Sequence, residues 1–223
     1  MREVVIDTET TGLSPSHGHR IVELACLELN NHVLTGRKFH TYLDPQRQMP
    51  EEAFRVHGIS AESLAGKPLF SEIVEGFLDF IGEDRLVIHN AEFDLGFLNA
   101  ELETLSRPAI PITQAVDTLA IARRKFPGAQ ASLDALCRRF EIDNSARTVH
   151  GALLDAELLA AVYLELIGGR QPGFELDAAG TGVSGAPAAP RPSRAPRPHA
   201  PTAEELSAHE ALLKRLKDPV WER

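Results

Sequence analysis

Val4-Val5-Ile6-Asp7-Thr8-Glu9-Thr10-Thr11-Gly12-Leu13 carries an apolar, β-branched run into two carboxylates spaced by two, followed by a Gly-containing turn. Side chains at i and i+2 of a strand share one face, so Asp7 and Glu9 present their oxygens together where the strand ends. Paired carboxylates of this kind suit a hard divalent cation. Standing alone, the segment reads more readily as a strand end with two solvated acids. Its neighbours in sequence tip the balance.

Two further segments carry matching chemistry. Leu86-Val87-Ile88-His89-Asn90-Ala91-Glu92-Phe93-Asp94 passes from a short buried-strand pattern into a helical one, which puts Asp94 in the first turn of a helix. An acid there also complements the helix dipole. In Thr148-Val149-His150-Gly151-Ala152-Leu153-Leu154-Asp155, a second helix begins, with Leu153, Leu154, Leu158 and Tyr163 on its apolar side. Residues five apart on a helix lie about 140° from each other around the axis. His150 and Asp155 therefore meet only if His150 lies at or before the helix start, where Gly151 leaves the chain free to turn.

Strand-like runs fall at Val4 to Asp7, Ile21 to Leu29, Val33 to Leu43 and Leu86 to His89. Helical patterns fall near Phe70 to Ile81, Glu92 to Leu105, Asp117 to Lys125, Ser132 to Phe140 and Gly151 to Ile167. This order predicts an α/β fold with a mixed sheet flanked by helices. Composition agrees: 223 residues, 43% hydrophobic and 25% charged, are enough for a sizeable core. Cys26 and Cys137 sit inside apolar patterns and read as buried free thiols, too few for a disulfide framework or a zinc site. That usage, with no signal peptide and no membrane span in view, predicts a cytoplasmic protein.

Three acid motifs in this order, with a His five residues before the last acid, resemble the DEDDh 3′→5′ exonuclease family. Nothing expected in those motifs is missing. Phe54-Arg55-Val56-His57-Gly58-Ile59, Ser132-Leu133-Asp134-Ala135-Leu136-Cys137, Glu141-Ile142-Asp143-Asn144-Ser145 and Arg147 through Ala156 are similar to that family's bacterial proofreading branch. The resemblance covers about residues 2 to 169, and more weakly the last twenty. It implies a ribonuclease H-like sheet and the removal of mispaired 3′-terminal nucleotides from DNA. It also implies that Glu52 and His57 face the terminal nucleotide, with Thr8 and Thr10 making contacts beside the metals; Asp7, Glu9 and Asp155 would touch substrate as well.

Phosphodiester hydrolysis needs a nucleophile from water and stabilisation of negative charge, which two divalent ions supply together. Asp7, Glu9 and Asp155 are the expected ligands, with Asp94 completing the site directly or through water, and His150 is the expected base. An all-oxygen ligand set makes Mg²⁺ the default and Mn²⁺ a substitute. Glu52 reads alternatively as a helix-start acid, Asp117 as an N-cap, Asn90 as a cap or an orienting group for the second motif, and Glu92 as surface.

Beyond residue 170 the composition changes. Within residues 171–201, Pro, Ala and Gly fill 18 of 31 positions, which predicts a flexible linker over 170–201 after a domain spanning 1–169. Gln171-Pro172-Gly173-Phe174-Glu175-Leu176 resembles short peptides that dock on bacterial sliding clamps; plain linker is the alternative. Thr202 and Glu205 form a capping box for a short helix with Leu206, Leu213 and Leu216 near one side, extended by Val220 and Trp221. The 202–223 segment is expected to bind a partner, by resemblance the polymerase subunit of the replicase, and a small stabilising subunit is a further candidate.

Residues 171–223 contain seven acids and seven bases, so the formal charge of −9 belongs wholly to residues 1–170. An acidic domain grips a polyanion poorly by itself, because nonspecific affinity comes from Lys and Arg neutralising phosphates. A partner is therefore expected to deliver the nucleic acid. Two rival readings stay open: a free-standing ribonuclease with the same acids, and a non-catalytic adaptor between clamp and polymerase.

Overall fold

The structure, a computed structural model, describes residues 1–145, 147, 149–168 and 200–215. They fall into two units, within Met1–Glu175 and Leu176–Arg223. The first holds strands β1 (Arg2–Thr10), β2 (Ile21–Asn30), β3 (Val33–Tyr42), β4 (Arg85–Ile88) and β5 (Ala115–Asp117). Its helices are α1 (Glu51–His57), α2 (Ala61–Leu64), α3 (Phe70–Ile81), α4 (Ala91–Thr104), α5 (Thr118–Lys125), α6 (Leu133–Arg139) and α7 (Ala152–Leu166).

The five strands lie in the order β3-β2-β1-β4-β5. β1 pairs antiparallel with β2 and β2 with β3, whereas β4 runs parallel to both β1 and β5, so the sheet is mixed as the element order predicts. Asn31 and His32, with φ of 49° and 65°, make the two-residue turn between β2 and β3, a backbone that matches the twist of the flanking strands.

Alternation along β1 sorts the core into two layers. Val4 and Ile6, with Leu24 and Cys26 of β2, face α3 and α4, where Phe77 and Phe97 are almost wholly buried. Val5, with Ala25 and Leu27, faces the opposite layer, which α6 and α7 fill through Leu136, Leu159 and Val162. Each such aliphatic side chain contributes about 1.5–3 kcal/mol through burial. The two-face arrangement explains why α7 is buried at Ala152, Ala156, Leu158, Leu159, Ala160, Val162, Tyr163 and Leu166, a far wider surface than one leucine stripe. Both cysteines are buried and free.

Several boundaries differ from the pattern in the sequence. β1 continues to Thr10 because pairing with the ten-residue β2 carries the ladder past the apolar run, with an irregularity only between Glu9 and Thr10. The short helices α1 and α2 lie where no apolar period is long enough to announce them, and the three-residue β5 is fixed only by its pairing with β4.

The second described unit is α8 (Ala203–Leu213). Thr202 and Glu205 form the expected capping box, with Thr202 N–H on the Glu205 carboxylate at 2.8 Å, and Leu206 and Leu212 are about half exposed. The expected linker core, the 171–176 peptide, and Leu216, Val220 and Trp221 lie outside the described residues.

Candidate active site

The parallel strands β1 and β4 end at the same edge of the sheet, the edge where open α/β sheets place their ligand sites. Asp7 and Glu9 share the face that α7 covers, and Asp155 lies in the first turn of that helix. Thr8 points to the other face. Its backbone N–H and hydroxyl both donate to Asp94 Oδ1, at 3.1 and 2.8 Å, and fix the first turn of α4 to β1. The four acids and His150 thus line one cavity of about 600 Å³, together with Phe93.

The start of α7 is held from two sides. Gly151 occupies the N-cap and has no side chain to offer, so the buried carboxylate of Glu23 on β2 accepts the Ala152 N–H at 3.0 Å. The other Glu23 oxygen meets His40 Nε2 at 2.8 Å. His150 N–H donates to the Val56 carbonyl of α1 at 3.1 Å, anchoring the chain just before the helix. His150 consequently lies before the helix start, as its spacing from Asp155 requires, with Nδ1 3.3 Å from Asp155 Oδ2. One oxygen of Glu9, one of Asp155 and one His150 nitrogen lie within 4.8 Å of one another.

Charge crowding dominates the electrostatics. Desolvation, then repulsion from Asp94, Glu9 and Asp155, raises the Asp7 carboxyl well above the ordinary aspartate range. Burial followed by the charges of Asp155 and Glu23 pushes Glu9 up to about 8, and burial pushes Asp94 up to about 7 despite the Thr8 hydrogen bonds. Asp155 goes the other way: burial opposes its ionisation, but the adjacent His150 and the hydrogen bonds and charge of Arg147 outweigh that and hold it below the usual range. Arg147 is the counter-charge, its Nε and Nη2 forking onto both Asp155 oxygens at 2.5 and 2.6 Å and its Nη1 reaching Asp134 at 2.7 Å.

Four carboxylates converging on one edge, three of them with raised pKa, form an oxygen donor set that fits divalent cations, which relieve the repulsion that protons otherwise relieve.

A second cavity of about 470 Å³ adjoins the first across Thr8, Glu9 and Phe93 and is lined by Thr10, Glu52 and His57. His57 is 4% exposed, and its Nδ1 accepts the Ile59 N–H at 3.0 Å, so its Nε2 carries the proton and finds no partner among the described residues. Burial lowers its pKa, which keeps that imidazole neutral. Glu52 is exposed in the first turn of α1, where it is both a helix-start acid and part of this wall. The Thr10-Thr11-Gly12 turn packs against His19; a Cβ on Gly12 would come 2.4 Å from that ring, so a larger residue there requires His19 to move.

The softer assignments resolve individually. Asp117 caps α5 through the Leu119 N–H at 2.9 Å and also accepts the Asn90 N–H at 3.1 Å, which ties α5 to the start of α4. Asn90 occupies the N-cap of α4 with φ of 70°, but its side chain caps nothing. Glu92 is exposed. Sequence reasoning passed over Glu23 and Arg147. An acid in the apolar run Ile21-Val22-Glu23-Leu24-Ala25-Cys26 was a visible signal for the first; for Arg147 the signal was its place three residues before His150.

The Exonuclease (RNase_T) family model matches residues 4–163. The chain belongs to this family of exonucleases. It is 49% identical over 222 residues to the DNA polymerase III subunit epsilon of Rickettsia conorii, with 97% of this chain and 96% of the relative covered. To the protein of the same name in Escherichia coli K12 it is 52% identical over 177 residues, covering 76% of this chain and 72% of the relative. The nuclease domain of 3′hExo, a DEDDh family member solved bound to rAMP, superposes with a TM-score of 0.65 at 20% identity over 74% of this chain and 91% of that one. The ribonuclease H-like exonuclease fold expected from the sequence is thereby established.

Proposed function

We infer that this chain is a divalent-metal-dependent 3′→5′ exonuclease that removes mispaired 3′-terminal nucleotides from DNA as the proofreading subunit of a bacterial replicative polymerase. The observation that carries the reading is the convergence of Asp7, Glu9, Asp94 and Asp155, from β1, α4 and α7, at one sheet edge beside His150. Residues 1–169 form the catalytic module.

Asp7, Glu9, Asp94 and Asp155 would hold two divalent ions, Mg²⁺ by default and Mn²⁺ as a substitute. When bound, the ions supply Lewis-acid stabilisation of the negative charge that develops on phosphate and leaving oxygens. His150, half-exposed at the cavity mouth, takes a proton from the attacking water as a neutral base. Water oxygen bonds to phosphorus as the bond from phosphorus to the preceding 3′ oxygen breaks; that oxygen takes up a proton from solvent to become the new 3′-hydroxyl, and the terminal nucleotide leaves as a 5′-monophosphate. The adjoining cavity receives that nucleotide, with His57 Nε2–H as a donor and Glu52, Thr8 and Thr10 along its walls. The formal charge of −9 belongs to residues 1–170, so a polymerase that delivers the frayed end supplies the grip this domain lacks.

The 202–223 segment contacts the polymerase, supported by the capped α8 and its exposed leucines. The 171–176 peptide contacts a sliding clamp, and a small stabilising subunit completes the assembly in the cytoplasm, where replication subunits work; none of the described helices is long and apolar enough to cross a membrane.

Degradation of 5′-labelled DNA and RNA oligomers of identical sequence, matched or mispaired at the 3′ end, tests the assignment. Stepwise loss from the 3′ end, fastest on mispaired DNA, is expected. Preference for RNA ends would identify a ribonuclease instead, and no hydrolysis of either would leave only the adaptor reading.

A further inference from the structure

Arg147 is a group beside the acids whose placement the hydrolytic chemistry does not account for. Its guanidinium side chain is only 6% exposed, and it takes both oxygens of Asp155 in a planar fork. The same Nη2 reaches His150 Nδ1 at 2.7 Å. Guanidinium nitrogens only donate, so Nδ1 must be the accepting nitrogen and the proton of the neutral ring sits on Nε2. One side chain thus occupies the carboxylate assigned as a metal ligand and the lone pair of the assigned base at once. Two cations cannot share Asp155 comfortably at ligand distance in a poorly solvated site.

Arg147 also has somewhere else to go. Its Nη1 donates to Asp134 at 2.7 Å, and Asp134, half exposed in the first turn of α6, is itself steadied by Asn144 Nδ2 at 3.1 Å. A guanidinium that lets go of Asp155 therefore keeps an anionic partner instead of being left buried and unpaired, which removes the main cost of such a move.

We propose that Arg147 is a resident counter-ion that latches Asp155 and His150 when metal is absent and withdraws toward Asp134 when a divalent ion binds. The proposal rests on Asp155 being a metal ligand. It makes the fork, rather than the charge alone, a competitor for the ion: without metal Asp155 is already paired, and metal affinity is set below what the four carboxylates could deliver.

The test titrates Mn²⁺ alone into the full chain and follows the free ion by its paramagnetic resonance signal, for wild type, Arg147→Lys, Arg147→Gln and Asp155→Asn. Lys keeps the positive charge without the two-pronged geometry and preserves folding. The latch predicts that Arg147→Lys binds Mn²⁺ several-fold tighter than wild type and Arg147→Gln about tenfold tighter or more, the equivalent of one pKa unit of electrostatic preference. It also predicts a lower melting temperature for metal-free Arg147→Gln that saturating Mn²⁺ restores to the wild-type value. Unchanged affinity in Arg147→Lys alongside tighter binding in Arg147→Gln would reduce the effect to the residue's field and overturn the latch, as would weaker binding in either variant. Wild-type affinity in Asp155→Asn would overturn the ligand assignment beneath it, a result distinct from the first two.

Discussion

Metal binding to this site should release more than one proton at pH 7. Glu9, with a pKa of about 8, is about nine-tenths protonated at that pH, and Asp94, at about 7, is half protonated. Asp7 is raised in the same direction, by burial and by repulsion from Asp94 and Glu9, and adds to that count, whereas Asp155 is shifted down and contributes none. Divalent ions bind carboxylates in the charged form, so these protons must leave as the ion enters. Calorimetric titration of Mg²⁺ or Mn²⁺ in buffers of different ionisation enthalpy counts them directly. The share owed to Glu9 and Asp94 should fall nearly to zero by pH 9, as both ionise unaided. The same raised pKa values fix the sign of the metal-free stability profile. The native state holds protons that the unfolded chain has lost, so unfolding free energy falls as pH rises from the ordinary carboxylate range to about 8. Glu9 alone accounts for up to about 5 kcal/mol of that fall at 1.36 kcal/mol per pKa unit. Asp155 runs oppositely, contributing stability that is lost only as pH drops through its depressed pKa. Release of no protons at pH 7, with a melting temperature that climbs from pH 5 to 8 without metal, would refute the charge-crowding argument.

The remaining expectations concern position and modularity. Glu23→Ala strips the cap from α7 and leaves the Ala152 N–H buried, which costs about 1–3 kcal/mol of stability and lowers kcat more than it raises KM; Glu23→Gln, which still accepts that N–H, recovers most of both in steady-state assays. A fragment ending at Gly169 should hydrolyse single-stranded DNA with metal at the full-length rate and lose polymerase association in gel filtration. An inactive fragment would contradict the module boundary. His57→Ala should raise KM for DNA at least tenfold by removing the Nε2 donor, with Mn²⁺ affinity unchanged by calorimetry.

Local chemistry accounts for what could be read in the sequence. The placements of Asp7 and Glu9 on one strand face, of Asp94 in a first helical turn and of His150 ahead of a helix-opening glycine were each legible within a few residues, and their order along the chain, rather than any one of them, pointed to a site. β5 and α1 were hidden for the converse reason: three strand residues and seven helical ones carry too little period, and long-range pairing defines them. Glu23 and Arg147 needed three dimensions as well. Glu23 caps a helix 129 residues away, and Arg147 finds Asp134 and Asp155 on two different helices. Glu52 and His57, grouped in the sequence only by the family resemblance, line one cavity, but the orientation of His57 follows from the Ile59 hydrogen bond, which no spacing rule encodes.

Single-turnover hydrolysis of a DNA primer with a mispaired 3′ end, by wild type and His150→Ala, each with Mg²⁺ and with chelator, tests the central claim most directly. The account predicts nucleotide release that requires the metal and falls about 10²- to 10⁴-fold in the variant, the range for loss of a general base, with Mn²⁺ affinity preserved within a few-fold. Undiminished release by His150→Ala, or release that persists in chelator, would contradict it.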